Sequence, residues 1–153
     1  MQKVTKKASQ AGFTLIEILI VIGIIAILAA IVLVAVNPSK QFEKANNAQR
    51  QSNVNAILNA VGQYMVDNQG TIPSAITTTA QNIGSGTGKA DICSLIMPTY
   101  IAALPGDPTT GSSQSITSCS SYDTHYQIKK DANNRITVSA PDAQGGATIS
   151  VIR

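Results

Sequence analysis

The sequence has no tryptophan, four tyrosines, two phenylalanines, one histidine and two cysteines, and only 12% of its 153 residues are charged. Each shortage excludes something. So few aromatic rings cannot supply a row of base-stacking platforms, and so little Lys and Arg cannot neutralise a run of phosphates, which argues against nucleic acid as a partner. Zinc-ligand spacing, paired catalytic acids and a dinucleotide fingerprint are all missing. The glycine-rich "GSGTG" at residues 84–88 lacks the Lys-Ser/Thr ending of a phosphate loop and reads as a flexible loop. His125 lies two residues from Asp123 on an expected strand, without a nucleophile signature, and reads as a surface histidine. No enzyme activity and no cofactor are expected.

What the chain has in abundance is one apolar run. Residues 13–36 are apolar almost throughout and would span about 36 Å as a helix, enough to cross a hydrocarbon core of about 30 Å. Charge is distributed around this run unevenly. Lys3, Lys6 and Lys7 supply the whole net charge of +3, because the other eight basic residues are matched by eight acidic ones. Basic residues before a span and balance after it follow the positive-inside rule, with the N-terminus in the cytoplasm and the remainder outside. Cys93 and Cys119 then fall in an oxidising compartment, where a disulfide is the expected state. Closing a loop of about 27 residues would stabilise the domain by about 3.5 kcal/mol. One residue contradicts the plain membrane reading. Glu17 places a carboxylate inside the apolar run, and an acid at that depth is expensive and marks a functional site.

"KKASQAGFTLIEILIVIGIIAILAAI" resembles the N-terminus of type IV prepilins and of the related pseudopilins of type II secretion. The likeness covers residues 5–37 and rests on the basic leader, the Gly12-Phe13-Thr14-Leu15-Ile16-Glu17 series and the unbroken apolar run behind it. It implies cleavage by a membrane prepilin peptidase between Gly12 and Phe13, followed by N-methylation of Phe13. It also implies that Glu17 pairs with the new Phe13 amine, of its own or a neighbouring chain, during subunit assembly. Removing one partner of such a pair leaves a buried charge, at a cost of about 3–5 kcal/mol.

Beyond the run, Pro38 predicts a kink or opened turn near residues 33–37, within one helix reaching about residue 68 and about 84 Å long. Val54, Ile57, Leu58, Val61 and Met65 recur at helical spacing as one apolar face, with Asn53, Asn55, Asn59 and Gln63 assigned to the other sides. Gly70 is the expected stop. Residues 71–90 read as loop, residues 92–97 as a short helix or turn, and residues 105–108 as a turn. Alternation around Tyr126 and Ile128, then Ile136 and Val138, predicts a hairpin, and Ile149 and Val151 a final strand. The expected core is Ile57, Leu58, Val61, Met65, Ile128, Ile136, Val138, Ile149 and Val151. "YIAALPGDP" is reminiscent of major pseudopilins, whose nearby loop can hold calcium. Asp107, Asp123 and Asp131 are weak oxygen-ligand candidates here, since no alternating Asp/Asn/Gly loop accompanies them, and no metal is assigned. A disulfide near the C-terminal part is closer to many type IV pilins.

The expected fold is α+β and pilin-like, a long N-terminal helix packed on a small antiparallel sheet. Residues 1–12 form a removable leader, 13–36 the membrane and filament-core helix, 37–70 its amphipathic continuation and 71–153 a small extracytoplasmic β domain. The leading functional expectation is a type IV pilus subunit, held in the cytoplasmic membrane and polymerised into a surface filament. The alternative is a major pseudopilin with a periplasmic fibre, and more distant is a DNA-binding or adhesive minor pilin. Expected partners are further copies of the chain, the peptidase and methyltransferase, an assembly platform with minor pilins, and membrane lipid before assembly.

Overall fold

The computed structural model describes residues 12–110 and 115–153, so the basic leader with Lys3, Lys6 and Lys7 lies outside the described residues. The chain divides at Pro38 into two units. The first contains α1, Leu15–Val36, all of whose residues are exposed within the chain. The second contains α2 (Pro38–Asp67), β1 (Gln81–Gly84), α3 (Cys93–Ile96), β2 (Asp123–Lys130), β3 (Ile136–Ala140) and β4 (Ile149–Ile152).

The single helix expected from residue 13 to about 68 is instead two helices. The interruption falls at Asn37, with φ at 44°, at the edge of the stretch where Pro38 was expected to disturb the ladder. Asn is among the few residues that adopt the left-handed conformation readily, and Pro38 stands at the first position of α2, where its missing N–H has no helical partner to lose. At the other end, Gly70 takes φ of 81° and donates its N–H to the Met65 carbonyl, closing α2 where the sequence placed the stop.

The four strands form an antiparallel meander in the order β1-β2-β3-β4. Alternation along β2 and β3 sends Thr124, Tyr126, Ile128, Ile136, Val138 and Ala140 to the buried face. In register, Ile128 stands opposite Val138, and Val138 opposite Val151. This face packs with Val54, Ile57, Leu58, Ala60 and Val61 of α2 in one core. Of the nine expected core residues, seven are buried, while Met65 and Val151 are partly buried against the same cluster. The core is also larger than expected, adding Ile83 from β1, Ile96 from α3 and Ile76, Ile92 and Leu104 from the connecting segments.

One strand was missed. β1 lies inside the stretch read as loop, and it pairs antiparallel with β2, Gln81 opposite Ile128 and Asn82 opposite Gln127. Its only apolar residue is Ile83, too little for a period of two to register. The "GSGTG" run is a turn, with Gly86 and Gly88 at positive φ, that returns the chain so that Ala90 N–H reaches the Asn82 carbonyl.

The other side of α2 assigned to solvent also needs correction. Asn53 is buried and donates to the Gly106 carbonyl and the Tyr126 hydroxyl. One turn earlier, Arg50 is fully buried and grips Asp107 with two bonds, Nε to Oδ2 at 2.6 Å and Nη2 to Oδ1 at 2.9 Å. Arg50 Nη2 also donates to Thr109 Oγ1, and Nη1 to Asn47 Oδ1. Asn47 in turn binds the backbone of Gln144, so α2, the turn at Asp107 and the loop before β4 meet in one polar cluster. Asn47, Arg50 and Asn53 precede Val54 and Ile57 at helical spacing, so the buried stripe of α2 is polar in its middle and apolar towards its end.

Burial alone would raise the Asp107 carboxyl, but Arg50 and the Thr109 N–H and hydroxyl outweigh it and hold the group below its ordinary value of 3.8. Its contribution to stability is complete above the ordinary value and is lost as pH falls through the depressed one. Asp107→Ala leaves Arg50 buried without its counter-ion and should lower unfolding stability by about 3–5 kcal/mol. Arg50→Met with Asp107→Leu should cost far less. Denaturant unfolding of the purified chain checks both, and as pH falls below the ordinary carboxyl value of 3.8 Asp107→Asn should lose stability less steeply than the parent.

Candidate functional site

The residues singled out at the N-terminus lie together at the start of α1. Gly12 and Phe13 precede the helix in irregular, exposed backbone, with Phe13 84% exposed. Thr14 is the N-cap of α1, with extended backbone, and Glu17 is the third helical residue. The Thr14 hydroxyl accepts from the Glu17 N–H at 3.3 Å, while Glu17 Oε2 accepts from both the Thr14 N–H and its hydroxyl at 2.7 Å. This reciprocal capping box satisfies two N–H groups that a helix start otherwise leaves without partners. Thr-x-x-Glu before an apolar run is the sequence signature of the motif, and it was legible in Thr14-Leu15-Ile16-Glu17. The acid therefore has a local structural use before any second chain is considered. Both bonds fall on Oε2, and Oε1 has no hydrogen-bond partner among the described residues.

Behind this cap, α1 is long and apolar enough to cross a membrane, and none of its residues is buried within the chain. A helix apolar all round has to be covered by lipid or by other helices.

The candidates beyond α1 are spread out. Cys93 and Cys119 are joined in a disulfide, tying α3 to the segment before β2. Cys93 is buried, and its N–H donates to the Tyr122 hydroxyl, which donates to Asp91. Burial first, and then the Asp91 carboxylate, raise the Tyr122 phenol above its ordinary value.

The three carboxylates weighed as calcium ligands are not brought together. Asp107 is bound by Arg50, Asp123 by Lys89 at 2.7 Å and Asp131 by Arg135 at 2.7 Å. For Asp123, burial works against ionisation but Lys89 and the His125 N–H prevail and lower its pKa; for Asp131 the Arg135 N–H is the main cause of the same direction. Among the described residues no group of three or more His, Cys, Asp or Glu is placed to hold a metal. His125 shares the outer face of β2 with Asp123, yet its ring lies 3.4 Å from Asp142, and Asp123 accepts from the His125 backbone instead. Sequence reasoning missed the Arg50–Asp107 cluster, although extending the α2 stripe backwards from Val54 reaches Asn47, Arg50 and Asn53.

Residues 7–33 match a family described as "Prokaryotic N-terminal methylation motif". Proteins named "Type II secretion system core protein G" are similar over much more of the chain. The one from Aeromonas hydrophila is 34% identical over 107 residues, covering 67% of this chain and 70% of that protein. The one from Klebsiella michiganensis is 34% identical over 113 residues, 71% of this chain and 75% of its own length. The Escherichia coli protein is 35% identical over 103 residues, 65% of this chain and 66% of its own length. No solved structure matches the chain.

Replacing Cys93 and Cys119 by serine should lower unfolding stability by about 2–4 kcal/mol, since the domain loses a constraint on its unfolded chain. Denaturant unfolding of the parent with and without reductant provides the comparison, and equal midpoints would count against the disulfide's contribution.

Proposed function

Because the chain belongs to the type IV pilin and pseudopilin family, we propose that it is a structural, non-enzymatic subunit of a type II protein secretion fibre. The observation that carries this reading is the extent of similarity. The methylation motif occupies residues 7–33 and is shared by pilins and pseudopilins, whereas the alignment to secretion core proteins runs over 107 and 113 residues and so extends into the β domain. The surface pilus, placed first on sequence grounds, becomes the second reading, favoured by the Cys93–Cys119 disulfide.

In the proposed pathway the chain enters the cytoplasmic membrane through residues 13–36, with residues 1–12 inside and 39–153 outside. The peptidase cuts after Gly12 and Phe13 is N-methylated; the exposure of both residues ahead of the α1 cap supports access to that bond. Glu17, its Oε2 already used by Thr14, offers Oε1 to the Phe13 amine of a neighbouring subunit. The pair acts as a register device more than a source of net stability, because desolvating two charges offsets most of their attraction. Polymerisation exchanges the lipid around α1 for other copies of α1. The partners are therefore the chain itself, the processing enzyme and an assembly platform with minor subunits.

Glu17→Val should leave cleavage and membrane insertion intact, by mass spectrometry of the N-terminal peptide, and abolish fibres. Normal fibres from this variant would sink the charge-pair mechanism. Deleting the gene should abolish export of secreted enzymes while leaving surface fibres in place. Lost surface fibres with intact secretion would instead assign the chain to a pilus.

A further inference from the structure

Beyond Pro38, the described residues leave four large hydrophobics exposed: Phe42 (70%), Val66 (79%), Leu95 (37%) and Ile152 (51%). Two of them stand near opposite ends of α2. Val66 borders an apolar groove of about 500 Å³, lined also by Gly62, Met65 and Ile136, with Arg135 and Arg153 on its wall. Resting on the fibre-subunit reading, we propose that this groove receives Phe42 of a second copy of the chain, with Glu43 of that copy pairing to Arg153.

Gly62 is the first argument. Glycine is unfavourable in a helix interior relative to alanine, and a Cβ built at Gly62 would meet nothing within 4 Å, so no packing inside the subunit requires it. Its lack of a side chain serves to keep the groove open, and a wall with no internal need for that space points to an outside occupant. Charge is the second argument. The ionisable residues lining the groove are both cationic. Arg135 is engaged by Asp131 at 2.7 Å, whereas Arg153 donates to the neutral amide of Asn59 and so keeps its charge for a partner. Glu43 follows Phe42 directly and has no ion pair or hydrogen bond among the described residues. An aromatic ring beside an unpaired carboxylate is the complement of an apolar groove beside an unpaired guanidinium. Geometry is the third argument. Residues 42 and 66 are separated along α2 by about 36 Å, so knob and hole cannot meet within one chain. A contact between two different patches is heterologous, and such contacts propagate into open fibres unless a rotation closes them.

The test uses the full-length chain in cells that assemble its fibres. Phe42→Cys with Val66→Cys, treated with a short bismaleimide cross-linker, should give a ladder of dimers and higher multimers in sheared fibres, absent from either single variant. Glu43→Arg should reduce the ladder at least tenfold and Arg153→Glu in the same chain should restore it. Gly62→Leu should fold with an undiminished thermal midpoint yet fail to assemble. Fibres without the ladder overturn the contact while leaving the fibre reading in place. A block by Gly62→Leu without any ladder assigns the groove to a different protein and overturns the self-contact as well. Absence of fibres from the unaltered chain overturns the fibre reading, and this inference with it.

Discussion

The buried Arg50–Asp107 pair is the interaction on which the lower part of the β domain depends. Its guanidinium and carboxylate meet through two bonds with both side chains fully shielded from water. Taking two charges out of water is costly, and here the cost is offset because the guanidinium protons find further acceptors in Thr109, Asn47 and Gln144 besides Asp107. The return is positional. The turn at Asp107 and the loop carrying Gln144 belong to no strand, yet both are fixed against α2 at a place where the helix has no apolar residue to offer.

That arrangement follows from how apolar surface is distributed along the chain. Of the 37 isoleucine, leucine and valine residues, 16 sit in α1, where none is buried within the subunit. The β domain must build its core from what remains, with isoleucine the commonest contributor, on α2, α3, the sheet and the connections. It is supplemented by two constraints that do not need apolar area, the ion-pair cluster near the start of the packed part of α2 and the Cys93–Cys119 bond. A chain that leaves the apolar surface of α1 unburied has to stabilise its β domain with the residues that remain and with such constraints.

Glu17 is partly satisfied inside its own chain. Within the chain it closes a capping box with Thr14, using a single carboxylate oxygen. The second oxygen is the one that the proposed assembly contact uses. An acid that looked out of place in an apolar run is thus partly satisfied by the helix start it creates, which lowers the penalty of keeping it there.

The sequence by itself determined the apolar span, the acid near its start, the hairpin around residues 126–138 and the stripe from Val54 to Met65, because each is a local pattern with a period or a fixed spacing. β1 escaped because a four-residue strand with one isoleucine has no readable period and exists through its pairing with β2. Asp107 was weighed as a calcium ligand and is an ion-pair partner, since nothing local tells a carboxylate which cation the fold will place 57 residues away in the chain beside it. The same holds for Asn53, polar by identity but buried by the Gly106 carbonyl and Tyr126 hydroxyl that meet it. Local chemistry decides what a segment can become; which polar groups are buried, and against whom, is decided when distant segments meet and each has to find a partner away from water.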